Sequence, residues 1–81
     1  MKLYKLYFTR SLETLQDEIY LGEALTIKEA CALANKEIDS RNFDKSPYWR
    51  WFFNSEGAFI DFGAWSPYLA IIGATKEEAF G

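Results

Sequence analysis

Tyr48-Trp49-Arg50-Trp51-Phe52-Phe53-Asn54-Ser55-Glu56-Gly57-Ala58-Phe59-Ile60-Asp61-Phe62 decides the fold. Two aromatic-rich runs flank four residues of turn chemistry. Aromatic and β-branched side chains favour strands, and Gly57 is free to take the positive φ that tight hairpin turns require. The stretch therefore reads as an antiparallel hairpin, Tyr48–Phe53 against Ala58–Phe62. Bulky residues alternate onto both faces of its first strand.

Working toward the C-terminus, Gly63 and Ser66-Pro67 mark the next bend, and Tyr68-Leu69-Ala70-Ile71-Ile72 reads as a last strand. The segment Thr75-Lys76-Glu77-Glu78 either starts a helical turn or frays as a terminus. On the other side of the hairpin, Ser40 to Pro47 is a loop, because Pro47 biases Ser46 away from helix.

The clearest local signal lies further upstream. Thr26-Ile27-Lys28-Glu29 matches the capping box, in which the Thr hydroxyl accepts the third backbone N–H and the Glu reaches back to the cap. Leu25 and Ala30 are placed for a hydrophobic staple. A helix is predicted over 27–39, with Ile27, Ala30, Cys31, Ala34 and Ile38 in one apolar stripe. Lys28, Glu29, Lys36 and Asp39 point away from it. The first segment, Lys2 to Arg10, alternates imperfectly and reads as a strand that buries Tyr4, Leu6 and Phe8. Between them Ser11–Leu25 is ambiguous. Leu12, Leu15 and Ile19 have helical spacing, whereas Ile19-Tyr20-Leu21 before Gly22 reads equally as a short strand. An irregular connection ending in a short extended piece is the favoured reading.

The expected order is β, uncertain connection, α, β, β, β over a single domain, residues 1–81. Short connections near Gly57 and Pro67 demand antiparallel neighbours. The fold class is thus α+β, a three- to four-stranded antiparallel sheet with one main helix packed on one face. Nine of the fifteen aromatics lie between Tyr48 and Tyr68. One short helix hides one face at most, so the surplus rings are expected to meet solvent, a partner or a second copy.

Composition excludes several function classes. The 81 residues contain no His and one Cys. A Ser-His-Asp or Cys-His relay, an imidazole metal site, a Cys-rich zinc site and an intrachain disulfide are all ruled out. Neither cofactor nor metal is expected. A reducing, cytoplasmic setting fits the cysteine usage; no stretch reaches the length of a membrane span and no signal peptide is recognised. Nine basic against twelve acidic residues give a net charge of −3, which disfavours a protein that lives on phosphate contacts.

The candidate binding residues are Tyr48, Trp49, Arg50, Trp51, Trp65 and Tyr68. Structurally, their rings would form one core layer with Arg50 stacked on a Trp by cation–π contact. Functionally, Trp, Tyr and Arg are the types enriched at interface hot spots. The same rings, with Arg41, Lys45 and Arg50 on phosphates, would also make a stacking platform for single-stranded nucleic acid. Asp61-Phe62-Gly63 spells the kinase metal-binding tripeptide, but no Gly-rich loop or catalytic-loop motif accompanies it. Asp61 is expected to pair with Arg50 across the hairpin or to cap the following turn. Glu13, Asp17, Glu18 and Glu23 read as a solvated acidic surface, and Cys31 as an inert hydrophobe on the buried stripe.

Leu25-Thr26-Ile27-Lys28-Glu29-Ala30-Cys31, Tyr48-Trp49-Arg50-Trp51 and Ile60-Asp61-Phe62-Gly63-Ala64-Trp65-Ser66 together resemble short proteins carried by phages and prophages of low-GC Gram-positive bacteria. The resemblance spans residues 25–72. It implies a small protein that binds and blocks a host protein, CRISPR nucleases among them, and it carries over no catalytic residue. The expected function is a non-enzymatic interaction module that occludes a larger host protein in the host cytoplasm. Single-stranded nucleic-acid binding and homo-oligomerisation, a homodimer above all, are the alternatives.

Overall fold

A computed structural model describes residues 2–64 and 66–80. In chain order the elements are β1 (Tyr4–Thr9), β2 (Ile19–Ala24), α1 (Ile27–Ser40), β3 (Arg50–Phe53), β4 (Gly57–Asp61), β5 (Tyr68–Ile72) and α2 (Lys76–Phe80). The fold is α+β with an antiparallel sheet and one main helix. The sheet has five strands rather than three or four, in the order β2-β1-β5-β4-β3. The additional strand is β2, the extended end of the ambiguous connection. Its register with β1 passes from Leu6↔Gly22 to Tyr7↔Tyr20 and leaves Leu21 without an opposite residue. That bulge breaks the alternation by which a strand is recognised.

The central hairpin forms where expected, although its first strand starts at Arg50 rather than Tyr48. Before it, Ser46 N–H donates to the Phe62 carbonyl (2.7 Å) and Tyr48 N–H to Ser46 Oγ (3.1 Å), so 46–48 is a turn. Gly57 sits at φ +149°, and a Cβ there would strike the Ile71 carbonyl and the Gly73 amide of the adjoining chain. Only glycine combines that φ with that approach.

Helix α1 begins as its capping box predicts. Thr26 Oγ1 accepts from Glu29 N–H (3.0 Å), but Glu29 Oε2 accepts from Leu25 N–H (3.1 Å), one residue before the cap. Leu25 is exposed, so the expected staple with Ala30 does not close. Ala30, Ala34 and Ile38 are buried, whereas Cys31 is half-buried at the margin of the stripe rather than inside it. A second box forms at the C-terminus. Thr75 Oγ1 accepts from Glu78 N–H (3.3 Å) and Glu78 Oε1 from Thr75 N–H (3.0 Å), so the tail is a short helix and not a frayed end.

Helix α1 packs over β1 and β2. Beneath and beside it lies the core: Tyr4, Leu6 and Phe8 of β1, Ala58 and Ile60 of β4, Phe62, and Leu69 and Ile71 of β5. The β3 side of the same face receives α2, whose Phe80 ring meets Trp51 (5.3 Å between centroids) and Phe53 (5.7 Å) edge-on. Glu78 pins α2 to the N-terminus, accepting from Lys2 Nζ (2.9 Å) and the Tyr4 hydroxyl (2.7 Å).

Tyr48 and Phe52 meet solvent as expected of the surplus rings, but the opposite face is not open. No helix covers it, yet Thr9, Phe59 and Ala70 are buried there, Phe59 with 0% of its surface exposed. The cover is the connection 10–18. The chain leaves β1 at Thr9, and the Glu13 carbonyl accepts from Asn54 Nδ2 (2.7 Å) while Thr14 Oγ1 donates to Glu56 Oε1 (3.2 Å) at the β3–β4 turn. The loop therefore lies across β5 and β4. The Thr9 hydroxyl holds it there, accepting from Gln16 N–H (2.9 Å) and donating to the Thr14 carbonyl (3.2 Å). Leu12 and Leu15 are half-buried as parts of this strap, not as a helical stripe. A surplus of rings does not by itself require an open face.

Candidate functional site

Because α1 sits over β1 and β2, the β3 side of that face stays partly open. A groove of about 550 Å³ runs there, lined by Cys31 and Asn35 of α1, by Lys45, Ser46, Pro47 and Tyr48, and by Trp49 and Trp51. Lys45 Nζ donates to Asn35 Oδ1 (3.1 Å) and Asp39 Oδ1 (2.9 Å), which ties the loop after α1 back onto the helix and closes one end. Trp49 and Trp51 are half-buried and pack against the core. Trp49 rests against Phe62 (6.2 Å) and Trp51 stacks on Phe53 (5.9 Å, 19° between planes). Tyr48, at the rim, is 84% exposed.

The predicted binding residues are therefore not one surface. Alternation along β3 sends Trp51 to the helix-covered face and Arg50 and Phe52 to the other. Arg50 lies directly opposite Asp61 and forms an ion pair with it through Nη2 and Oδ2, as the hairpin reading expected. Among the described residues it does not stack on a Trp, and the guanidinium–ring contact is instead Arg41 over Phe8 (5.3 Å). Asp61 Oδ1 accepts from Gly63 N–H (3.1 Å). The Arg50 guanidinium, joined by that amide, holds the Asp61 carboxyl below its usual range. Tyr68 borders a separate hollow of about 300 Å³ with Asp61, Gly63 and Ala64. Tyr48, with Ser46, touches both regions, since it also lines a hollow with Arg50, Asp61 and Gly63. Trp65 lies outside the described residues.

Cys31, Asn35, Lys45, Ser46 and Pro47 line the groove without having been among the predicted binding residues. Cys31 and Asn35 stand one helical turn apart on the flank of the apolar stripe, and that spacing was the signal that could have found them. Phe52 is 43% exposed at the sheet edge; its alternation with Trp51 gave the face, but the sequence does not say that β3 is an edge. Burial pushes the Cys31 thiol above its ordinary value, so the groove holds no activated nucleophile at this position. Among the described residues no cluster of three or more Cys, Asp or Glu is placed to hold a metal, and no helix is long and apolar enough to cross a membrane. No family model, curated protein or solved structure matches the chain.

Proposed function

We propose that this protein is a non-enzymatic interaction module that binds a larger host protein and blocks it by occupancy. One observation carries the reading: an exposed Tyr48 stands at the mouth of a groove floored by Trp49 and Trp51. Partly buried aromatics beside a fully exposed one supply a rigid apolar anchor at low cost in side-chain ordering. The anchoring site is Tyr48, Trp49 and Trp51, with Pro47 beside them. Arg50 and Tyr68 serve the neighbouring face, where Arg50 is already engaged by Asp61. The phage-protein resemblance supports an occluding role in a host cell.

The test is capture from the bacterial host by wild type and by Tyr48→Ala, a substitution at a residue with almost no packing to lose. A nuclease-resistant partner retained by wild type, with binding weakened about tenfold or more by Tyr48→Ala, is the expected result. Binding that falls linearly in log–log form with salt and vanishes on nuclease treatment would point instead to single-stranded nucleic acid. Full retention by Tyr48→Ala and Trp49→Ala would remove the groove from the interaction.

A further inference from the structure

Among the described residues the sheet has two free edges, and the exposed large apolar side chains gather at them. Leu3, Ile19, Tyr20 and Leu25 lie at the β2 side; Tyr48, Phe52 and Phe80 lie around β3. A free edge is a template for another strand. β2 carries two features that blunt it, the bulge at Leu21 and the charge of Glu23. β3 has neither bulge, proline nor lysine, and its one charge, Arg50, is paired within its own sheet.

The hairpin fixes which backbone groups β3 offers. Asn54 N–H donates to the Gly57 carbonyl (3.0 Å). By the alternation of antiparallel ladders, Phe52/Phe59 and Arg50/Asp61 are then the hydrogen-bonded pairs. Trp51 and Phe53 consequently turn their N–H and C=O groups outward.

We infer that a second copy of this chain pairs antiparallel along β3, joining two five-stranded sheets into one across a two-fold axis at Phe52. In this register Trp51 lies opposite Phe53 of the second copy, and the reverse, so all four outward groups of each chain are used. The two half-exposed Phe52 rings meet on the axis. Arg50 falls opposite the neutral Asn54 of the second copy. No like charges face each other across the seam. Such a contact is isologous and closes at two chains, whereas β3 on β2 would be head-to-tail and open-ended. The inference goes beyond the occlusion reading and does not depend on it.

Two measurements on the full chain test it. Sedimentation equilibrium from about 10 µM to about 1 mM should show mass rising from one chain toward two, because a short seam gives a weak, concentration-dependent dimer. Over the same range, amide exchange at Trp51 and Phe53 should slow several-fold while exchange along β2 stays constant. Phe52→Lys sets like charges on the axis and should weaken association about tenfold or more. A monomer throughout, unchanged exchange at Trp51 and Phe53, or mass growing past two chains would overturn the inference.

Discussion

Phe62 and Phe59 lie on opposite faces of the sheet, and neither exposes any surface. Phe62 is covered on the side of α1, among Phe8 and Trp49. Phe59 lies beneath an irregular strap. A helix satisfies its backbone hydrogen bonds internally, so its hold on a sheet rests on apolar packing. A loop must find a partner for each buried backbone group. The strap meets that demand with Arg10 N–H on the Gln16 carbonyl (2.9 Å), with the Thr9 hydroxyl, and with Asn54 on the Glu13 carbonyl. Irregular chain thus seals a sheet face when a few polar contacts replace the helical ladder.

The largest effects test whether the two faces are equally sealed. Phe62→Ala and Phe59→Ala should each cost about 3–5 kcal/mol by denaturant unfolding, the usual range for a buried Phe that leaves a cavity. A cost below about 1 kcal/mol for Phe59→Ala would resemble a surface change and show that the strap does not exclude water. Next is Thr9→Val, which keeps the shape but removes the hydroxyl that accepts from Gln16 and donates to Thr14. It should cost about 1–3 kcal/mol through unpaired groups. Amides of 10–16 should exchange faster while those of α1 are unchanged; equal acceleration in α1 would mean that the two covers are not independent. The matching change under the helix, Thr26→Ala, should cost about 1 kcal/mol. It should fray only the first turn of α1, read by amide exchange at Lys28 and Glu29.

This contrast also explains what was legible in the sequence. The helix announced itself through Thr26, Glu29 and a stripe with 3.6 periodicity. The hairpin did so through Gly57 and its flanking rings, and the Arg50–Asp61 pair followed from that register. The strap has no period. Its function depends on Thr9, an ordinary strand residue by type, and on Asn54, which read only as turn chemistry. Both act across the fold rather than along the chain. β2 was half legible because its bulge at Leu21 interrupts alternation. For the site, residue type singled out Tyr48, Trp49 and Trp51, which line one groove. It also grouped them with Arg50 and Tyr68, which strand alternation and topology send to another surface.

The smallest effect concerns the second cover of the helix face, α2, which is held by charge where α1 is held by packing. Hydrogen bonds from Lys2 and then from Tyr4 lower the Glu78 pKa from 4.5 to about 2. The Tyr4 hydroxyl in turn is raised, first by its bond to Glu78 and then by burial. For Glu78 the folded value lies below the unfolded one, so the unfolded chain binds more protons in the interval between them. Its contribution is therefore complete above about 4.5 and is lost as pH falls toward about 2. Glu78→Gln should lower Tm slightly at neutral pH and flatten the acid side of the Tm–pH curve over that interval. Loss of the tie should also loosen Phe80 from Trp51 and Phe53, shifting tryptophan emission at acid pH before α1 melts. If wild type and Glu78→Gln keep parallel Tm–pH curves below 4.5, the carboxylate does not hold α2. The ring contacts of Phe80 alone then keep this part of the face closed, by the same apolar means as α1.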